Sequence, residues 1–292
     1  MPTFTIPKRP LTWLVTGSSS GLGLEIVRQV QGRGHRVIAT SRNPARTPEL
    51  VCEVEAKGGK WVQLDVDDLD SIKLADELDL DGEQIDVLVN NAGYSIYQVG
   101  EHLTEDEVRV QMDTLYFAPF RLMRAVLPYM RKRRFGTIVN ISSGASLEGR
   151  ESMCAYAGPK AALDGLSRVL AKEVASFNIR ILTVVLGVFN TNMMNTATMG
   201  KMSIDDDYRG SVADETMKSM ASSAISPDGD KVKAAKAICD VVLGECVGAG
   251  HEGEPVLPLG RDMVARFKLA RDKLDHALRV FEGVATSVYI EK

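Results

Sequence analysis

Apolar positions along this chain fall into two alternating patterns. Short, nearly continuous runs rich in β-branched residues occupy 11–16 (L-T-W-L-V-T), 36–41 (R-V-I-A-T-S), 61–66 (W-V-Q-L-D-V), 85–90 (I-D-V-L-V-N), 136–142 (G-T-I-V-N-I-S), 179–185 (I-R-I-L-T-V-V) and 255–259 (P-V-L-P-L). Between them, near 21–33, 68–79, 104–132, 156–177 and 228–245, apolar residues recur at helical spacing. Runs without polar alternation predict strands buried on both faces, and the intervening helices predict a parallel order. Right-handed crossovers then give one doubly wound, Rossmann-type α/β domain over 1–292. Its mainly parallel sheet has seven strands, with helices on both faces.

Two regions break the alternation. Residues 190–226 are polar and hold six of the twelve methionines (193, 194, 199, 202, 217 and 220). A long excursion with adaptable apolar side chains predicts a substrate-binding lid inserted in the domain. Residues 261–283 place Met263, Phe267, Ala270, Leu274, Ala277, Leu278 and Phe281 at helical spacing. They predict a C-terminal amphipathic helix that covers apolar surface on this subunit or a neighbour, with packing on its own core expected.

Composition narrows the function classes. The 292 residues are 45% apolar and 25% charged, with net charge −4, a balance that suits a globular domain and offers nothing to nucleic acid or an anionic membrane. The one basic run, R-K-R-R at 131–134, follows a helical stretch and is expected to close its C-terminus. Cysteines at 52, 154, 239 and 246 form no C-x-x-C, and histidines at 35, 102, 251 and 276 have no ligand spacing, so no metal is expected. No window of 18 apolar residues and no apolar leader occur, so a reducing, cytoplasmic setting is expected.

Candidate chemistry begins where the first strand ends, at T-G-S-S-S-G-L-G (16–23). Glycines between a strand and a helix allow a tight turn and let backbone N–H groups approach a pyrophosphate, although a plain turn uses the same residues. The second strand ends in Thr40-Ser41-Arg42-Asn43. An acid there would accept from the ribose 2′-hydroxyl of NAD; Arg42 in its place would pair with a 2′-phosphate and favours NADP(H). Tyr156 and Lys160 stand one helical turn apart. An ammonium beside a phenol is expected to lower its pKa, although such pairs are common on helices.

Taken together and in order, T-G-S-S-S-G-L-G, N-N-A-G (90–93), I-V-N-I-S-S (138–143) and Y-A-G-P-K (156–160) resemble the short-chain dehydrogenase/reductase family. The resemblance is close over about 10–190 and looser beyond. It implies that Gly17, Ser19, Ser20, Gly21, Leu22 and Gly23 hold the cofactor phosphates, that Asp65 contacts adenine, and that Asn91, Ala92 and Gly93 line the adenosine side. It implies that Ser143 hydrogen-bonds the substrate oxygen, that Tyr156 is the general acid or base, and that Lys160 tunes the tyrosine and holds the nicotinamide ribose. Val188 and Thr191, in L-G-V-F-N-T (186–191), would contact the nicotinamide end. The implied activity is carbonyl reduction or the reverse alcohol oxidation; Arg42 makes NADPH the expected donor, and the Met-rich lid with little charge around it makes an apolar ketone or aldehyde, such as those of secondary metabolism, the expected substrate. The implied assembly is a homodimer or homotetramer.

The chain departs from the family pattern at three positions. Leu115 in D-T-L-Y-F-A-P (113–119) stands where an asparagine is usual and holds a water linking the lysine to solvent. Leucine cannot hold it, so either protons take another route or the chain binds NADP(H) with impaired or repurposed chemistry. Pro159 lacks an N–H and clashes one turn back, so the helix should start near Tyr156 or distort there. Leu186 replaces a proline and should loosen the backbone after the sixth strand. Cys154 is expected to be a small packed residue.

Overall fold

The computed structural model describes residues 4–191, 193, 197–221 and 227–290. Seven strands form one sheet: β1 (Thr12–Val15), β2 (Arg36–Ser41), β3 (Lys60–Gln63), β4 (Val87–Asn90), β6 (Gly136–Ser143), β7 (Ile179–Leu186) and β9 (Val256–Leu259). Their order is β3-β2-β1-β4-β6-β7-β9, and every pairing is parallel. The seven predicted strands are all present, with ends shifted by up to three residues. A separate ribbon pairs β5 (Ile96–Tyr97) with β8 (Thr198–Met199).

Period-two alternation along the buried strands separates two apolar layers. Trp13 and Val15 of β1 meet Ile26 and Val30 of α1 (Gly21–Gly32) and Ile238 of α9 (Lys231–Leu243) on one face. Leu14 of the same strand meets Leu78 of α3 (Leu74–Leu80), Met123 of α5 (Ala118–Arg133) and Leu163 of α7 (Cys154–Val174) on the other. The remaining helices are α2 (Pro48–Ala56), α4 (Glu105–Met112), α6 (Ala145–Glu148), α8 (Val212–Ala221) and α10 (Arg261–Thr286). Strand order reverses between β1 and β4, so the loops leaving their C-terminal ends open a crevice there.

Several expectations change. The helix foreseen over 104–132 is divided: a π turn at Asp113–Phe117 separates α4 from α5 and carries Leu115 inward. Both halves keep helical periodicity, so the extra residue in the turn leaves no trace in the pattern. The run at 131–134 does end α5, with Arg134 left-handed (φ 56°). Helix α7 begins at Cys154, two residues before the expected start, and continues unbroken past Pro159 in its second turn. Leu186 completes β7, and ladder pairing with Ser143 and Leu259 supplies the restraint that a proline would have given. Cys154 is exposed, not packed.

The predicted lid contains β8, a 3₁₀ turn at Asp206–Tyr208 and α8; Met194 lies outside the described residues. Polar contacts fasten this segment to the rest of the domain. Gln98 Nε2 donates to the Met202 carbonyl (2.7 Å), the Lys201 N–H donates to Glu107 (2.8 Å), and His102 Nε2 meets Asp205 (3.2 Å).

The C-terminal helix needs the largest correction, because it does not pack on the core as expected. Helix α10 leaves the sheet edge after β9 and buries only Met263. Phe267 and Ala270 are still half-buried, but from residue 271 onward every described position of the helix is exposed, and Leu274, Leu278 and Phe281 remain 72%, 63% and 59% exposed. A chain ending before Lys268 is therefore expected to keep nearly the full urea-unfolding free energy. Met263→Ala, which empties a fully buried site, should cost about 2–4 kcal/mol. A truncated chain that loses more than the alanine variant would place α10 within the cooperative core.

Candidate active site

The crevice is shaped by a join between two loops. At the end of β1 the Thr16 hydroxyl accepts from the N–H groups of Asn91 and Ala92 (3.0 Å each) and donates to the Val89 carbonyl (3.2 Å). The Asn91 side-chain amide returns to the Thr16 and Gly17 carbonyls (2.8 and 3.2 Å). Contact is close enough that a Cβ on Gly17, whose φ is +68°, would lie 2.9 Å from Ala92 Cα. A Cβ on Gly23 would lie 2.4 Å from the Gly17 carbonyl oxygen. Ser18 is consumed in holding the loop, donating to the Val15 carbonyl (2.9 Å). Ser20 caps α1 in extended conformation, so the N-terminus of the helix faces the crevice.

From this loop a cleft of about 340 Å³ runs to Tyr156, within the size range of small-molecule sites. Gly17, Ser19, Ser20, Gly21 and Leu22 line its first part, and Asn91, Ala92 and Gly93 the facing wall. Arg42 lines the end next to β2, exposed and without a carboxylate partner among the described residues. Ser143, Tyr156 and Lys160 line the far part with Val188 and Thr191. Two expected residues stand outside the lining. Gly23 lies behind the loop, and the Asp65 carboxylate turns back to accept from the Asp67 N–H (3.1 Å). Asp67 lines the rim instead; partial burial raises its carboxyl pKa, opposed by a hydrogen bond from the Thr114 hydroxyl (2.9 Å).

The reactive groups are held by buried polar contacts that periodicity does not reveal. Asn140 of β6 accepts from Asn90 of β4 and donates to Ser167 of α7 (2.8 Å each), tying the helix to the sheet. One turn after Lys160, the Asp164 carboxylate lies 2.6 Å from the Ser146 hydroxyl, whose one proton is shared between it and the Ser143 carbonyl (2.8 Å). Tyr156 and Lys160 are 4% and 6% exposed, so both are dry in this state. Lys160 donates to the Ile141 carbonyl (2.6 Å), and its nitrogen lies 5.9 Å from the centre of the Tyr156 ring.

Burial outweighs the attraction expected between them. It pushes the Tyr156 phenol well above its usual pKa, with the Ser143 hydrogen bond pulling the other way. It also pushes the Lys160 ammonium down to about 8, opposed by Asp164. The phenol is thus raised in this state where the sequence led us to expect a lowered one, because removal from water is the dominant influence on it. Leu115, 1% exposed, packs with Tyr97, Ala145, Met153 and Tyr156, and a Cβ on Gly93 would meet its Cδ2 at 2.8 Å.

A family model described as short chain dehydrogenase matches residues 12–201. The chain belongs to the short-chain dehydrogenases. An oxidoreductase of Passalora fulva is 40% identical over 189 residues, 63% of this chain and 84% of that protein. A 3-ketodihydrosphingosine reductase of Bacteroides thetaiotaomicron is 36% identical over 205 residues, 70% and 73% of the two chains. The solved structure of a short-chain dehydrogenase from Streptomyces avermitilis superposes with TM-score 0.86 at 33% identity, covering 97% of this chain and all of that one.

Short-chain dehydrogenases are oxidoreductases that use NAD(P), and the cleft fits such a dinucleotide. Its loop is free of Cβ atoms where Gly17 meets Ala92, a helix N-terminus faces it, and a buried ammonium stands at its far end. No helix among the described residues is long and apolar enough to cross a membrane.

The lowered Lys160 pKa makes stability depend on pH in a definite direction. Below about pH 8 the folded chain carries the full cost of a buried ammonium. Between about 8 and 10.4 the unfolded lysine keeps its proton while the folded one has released it, so stability rises with pH. Cofactor-free protein should therefore gain on Lys160→Met by on the order of 2 kcal/mol between about pH 7 and 9.5 in urea titrations. A gap that stays constant would remove burial as the cause.

Proposed function

We propose that this short-chain dehydrogenase is an NADPH-dependent carbonyl reductase, equally an alcohol dehydrogenase in reverse, for an apolar ketone or aldehyde. The observation that carries the reading is the convergence of Ser143, Tyr156 and Lys160 on one wall of a cleft that begins at a glycine loop. Dihydronicotinamide, when bound, supplies the hydride. Ser143 and Tyr156 offer hydroxyl donors to the substrate oxygen as negative charge develops on it. Tyr156 gives up the proton, and its raised pKa keeps it protonated and ready at neutral pH. Lys160 stabilises the phenolate that remains and, with a pKa near 8, can return the proton.

Arg42 supports the 2′-phosphate of NADP(H), since no acid stands at the end of β2 and the guanidinium is unpaired among the described residues. The apolar substrate follows from the wall around Tyr156, built from Tyr97, Ala145, Met153, Met193 and Met220. Met193 brings its sulfur to 3.9 Å from the Tyr156 hydroxyl, so the lid methionine must yield when a carbonyl arrives. We place the protein in the cytoplasm as a homodimer or homotetramer.

A second reading keeps the cofactor and gives up the hydride transfer. It rests on Leu115, which fills the space next to Tyr156 with hydrocarbon where a water relay would run. Against it, Lys160 keeps its contact with the Ile141 carbonyl and stands within the electrostatic reach of Asp164, so the lysine remains in a polar setting without that water.

Purified protein is expected to oxidise NADPH with members of a ketone and aldehyde panel. Tyr156→Phe should lower turnover by at least about 10³-fold, within the range of a lost proton donor, with NADPH still quenching its fluorescence. Full activity in that variant, or tight NADPH binding with no deuteride transfer by the native chain, would overturn the reductase. Arg42→Ala should cut the preference for NADPH over NADH by about tenfold or more, the scale of a lost charge-assisted contact. An unchanged preference would assign the 2′-phosphate elsewhere.

A further inference from the structure

The wall beyond Tyr156 is apolar except where the loop between α6 and α7 crosses it. Three charged side chains line that end of the cleft: Glu148, Arg150 and Arg266. Two of them are committed. Arg266 contacts Glu148 and Asp262 at 3.3 Å each, so its charge is answered from both sides. Arg150 has no ion pair or side-chain hydrogen bond among the described residues, yet it is only partly exposed and borders the cleft.

Its backbone is fixed from both sides. Gly149 and Ser152 adopt positive φ (63° and 58°), and the Arg150 carbonyl accepts from the Met153 N–H (3.3 Å). The Ser152 hydroxyl donates to the Ala213 carbonyl of the lid (3.0 Å), and its own carbonyl accepts from the Gln98 N–H (3.0 Å). The loop is therefore clamped between the β5 segment and α8, and Arg150 is held at the mouth with its charge reaching the buried Tyr97. A guanidinium offers forked donors that match a carboxylate, and a partly desolvated one without a partner is costly unless a ligand completes it.

We propose that Arg150 is an anion subsite, and that the substrate is a carbonyl compound whose apolar body ends in a carboxylate. The inference rests on the carbonyl-reductase reading and narrows its substrate class. The carbonyl lies at Ser143 and Tyr156, the hydrocarbon along Met153 and the lid methionines, and the carboxylate at the mouth. Glu148 does not repel it, because Arg266 holds that acid.

The test compares laevulinate and its longer straight-chain oxo-acid homologues with their methyl esters. Native protein should prefer the acids, with the preference growing as the chain reaches the mouth. Arg150→Ala should lower the acid-to-ester ratio of kcat/KM by roughly 10- to 100-fold, mainly through KM, as expected for loss of a charge-assisted contact. Arg150→Lys should keep part of the preference, and Arg150→Glu should abolish it. Equal rates for acid and ester in the native protein, or an unchanged ratio in Arg150→Ala, would overturn the subsite. A binding arm separates the two proposals: decanoate, more than decanol, should raise the melting temperature of native protein in the presence of NADPH, and not that of Arg150→Ala. Decanoate stabilisation without reduction of any carbonyl would keep the subsite and sink the reductase. Reduction of neutral ketones with no decanoate effect would do the reverse.

Discussion

The cleft depends on one join, between the hydroxyl of Thr16 and the backbone of Asn91 and Ala92. Parallel strands end together, and their last carbonyls and the first N–H groups of the loops would otherwise face a dry crevice unpaired. Thr16 and the Asn91 amide satisfy them across the switch point. The glycines then follow from steric necessity. Gly17 and Gly23 are placed where a methyl group would drive the two loops apart, so the helix N-terminus can face the cleft only while both remain bare.

At the other end of the cleft, desolvation governs. A phenol and an ammonium are both taken almost completely out of water, and each is pushed toward its neutral form. The π turn that swings Leu115 inward completes this dry pocket, and the Asn90–Asn140–Ser167 chain holds α7 against the sheet while it forms. Proton transfer in such a place is set less by pairing of opposite charges than by which form the surroundings tolerate. Asp164, sealed behind Ser146, is the group that tempers this for the lysine.

Much of this architecture is written in periodicity. The seven strands are continuous apolar runs, and a parallel, fully covered sheet requires that pattern. The glycine loop is legible from its place between a strand and a helix, whereas Ser143, Tyr156 and Lys160 are legible as a site through the ordered motifs that resemble the family. Other features leave no local trace. The π turn inserts a residue into an unbroken helical pattern, and Arg150 sits in a loop whose position is decided by contacts to β5 and α8. Asp164 could have been read, since it repeats the four-residue step from Tyr156 through Lys160. The periodicity of α10 was visible, but amphipathicity states that a face wants cover without saying whether the fold supplies it.

That helix is rooted beside the cleft. Asp262 in its first turn packs so closely on Gly187 that a Cβ there would push the carboxylate aside, and Arg266 grips Glu148 on the cleft wall. From this root its 26 residues extend roughly 39 Å at 1.5 Å per residue. A rod clamped at one end works as a lever: torque applied to its free tip is delivered at the clamp, and here Arg266 of the clamp also lines the cleft.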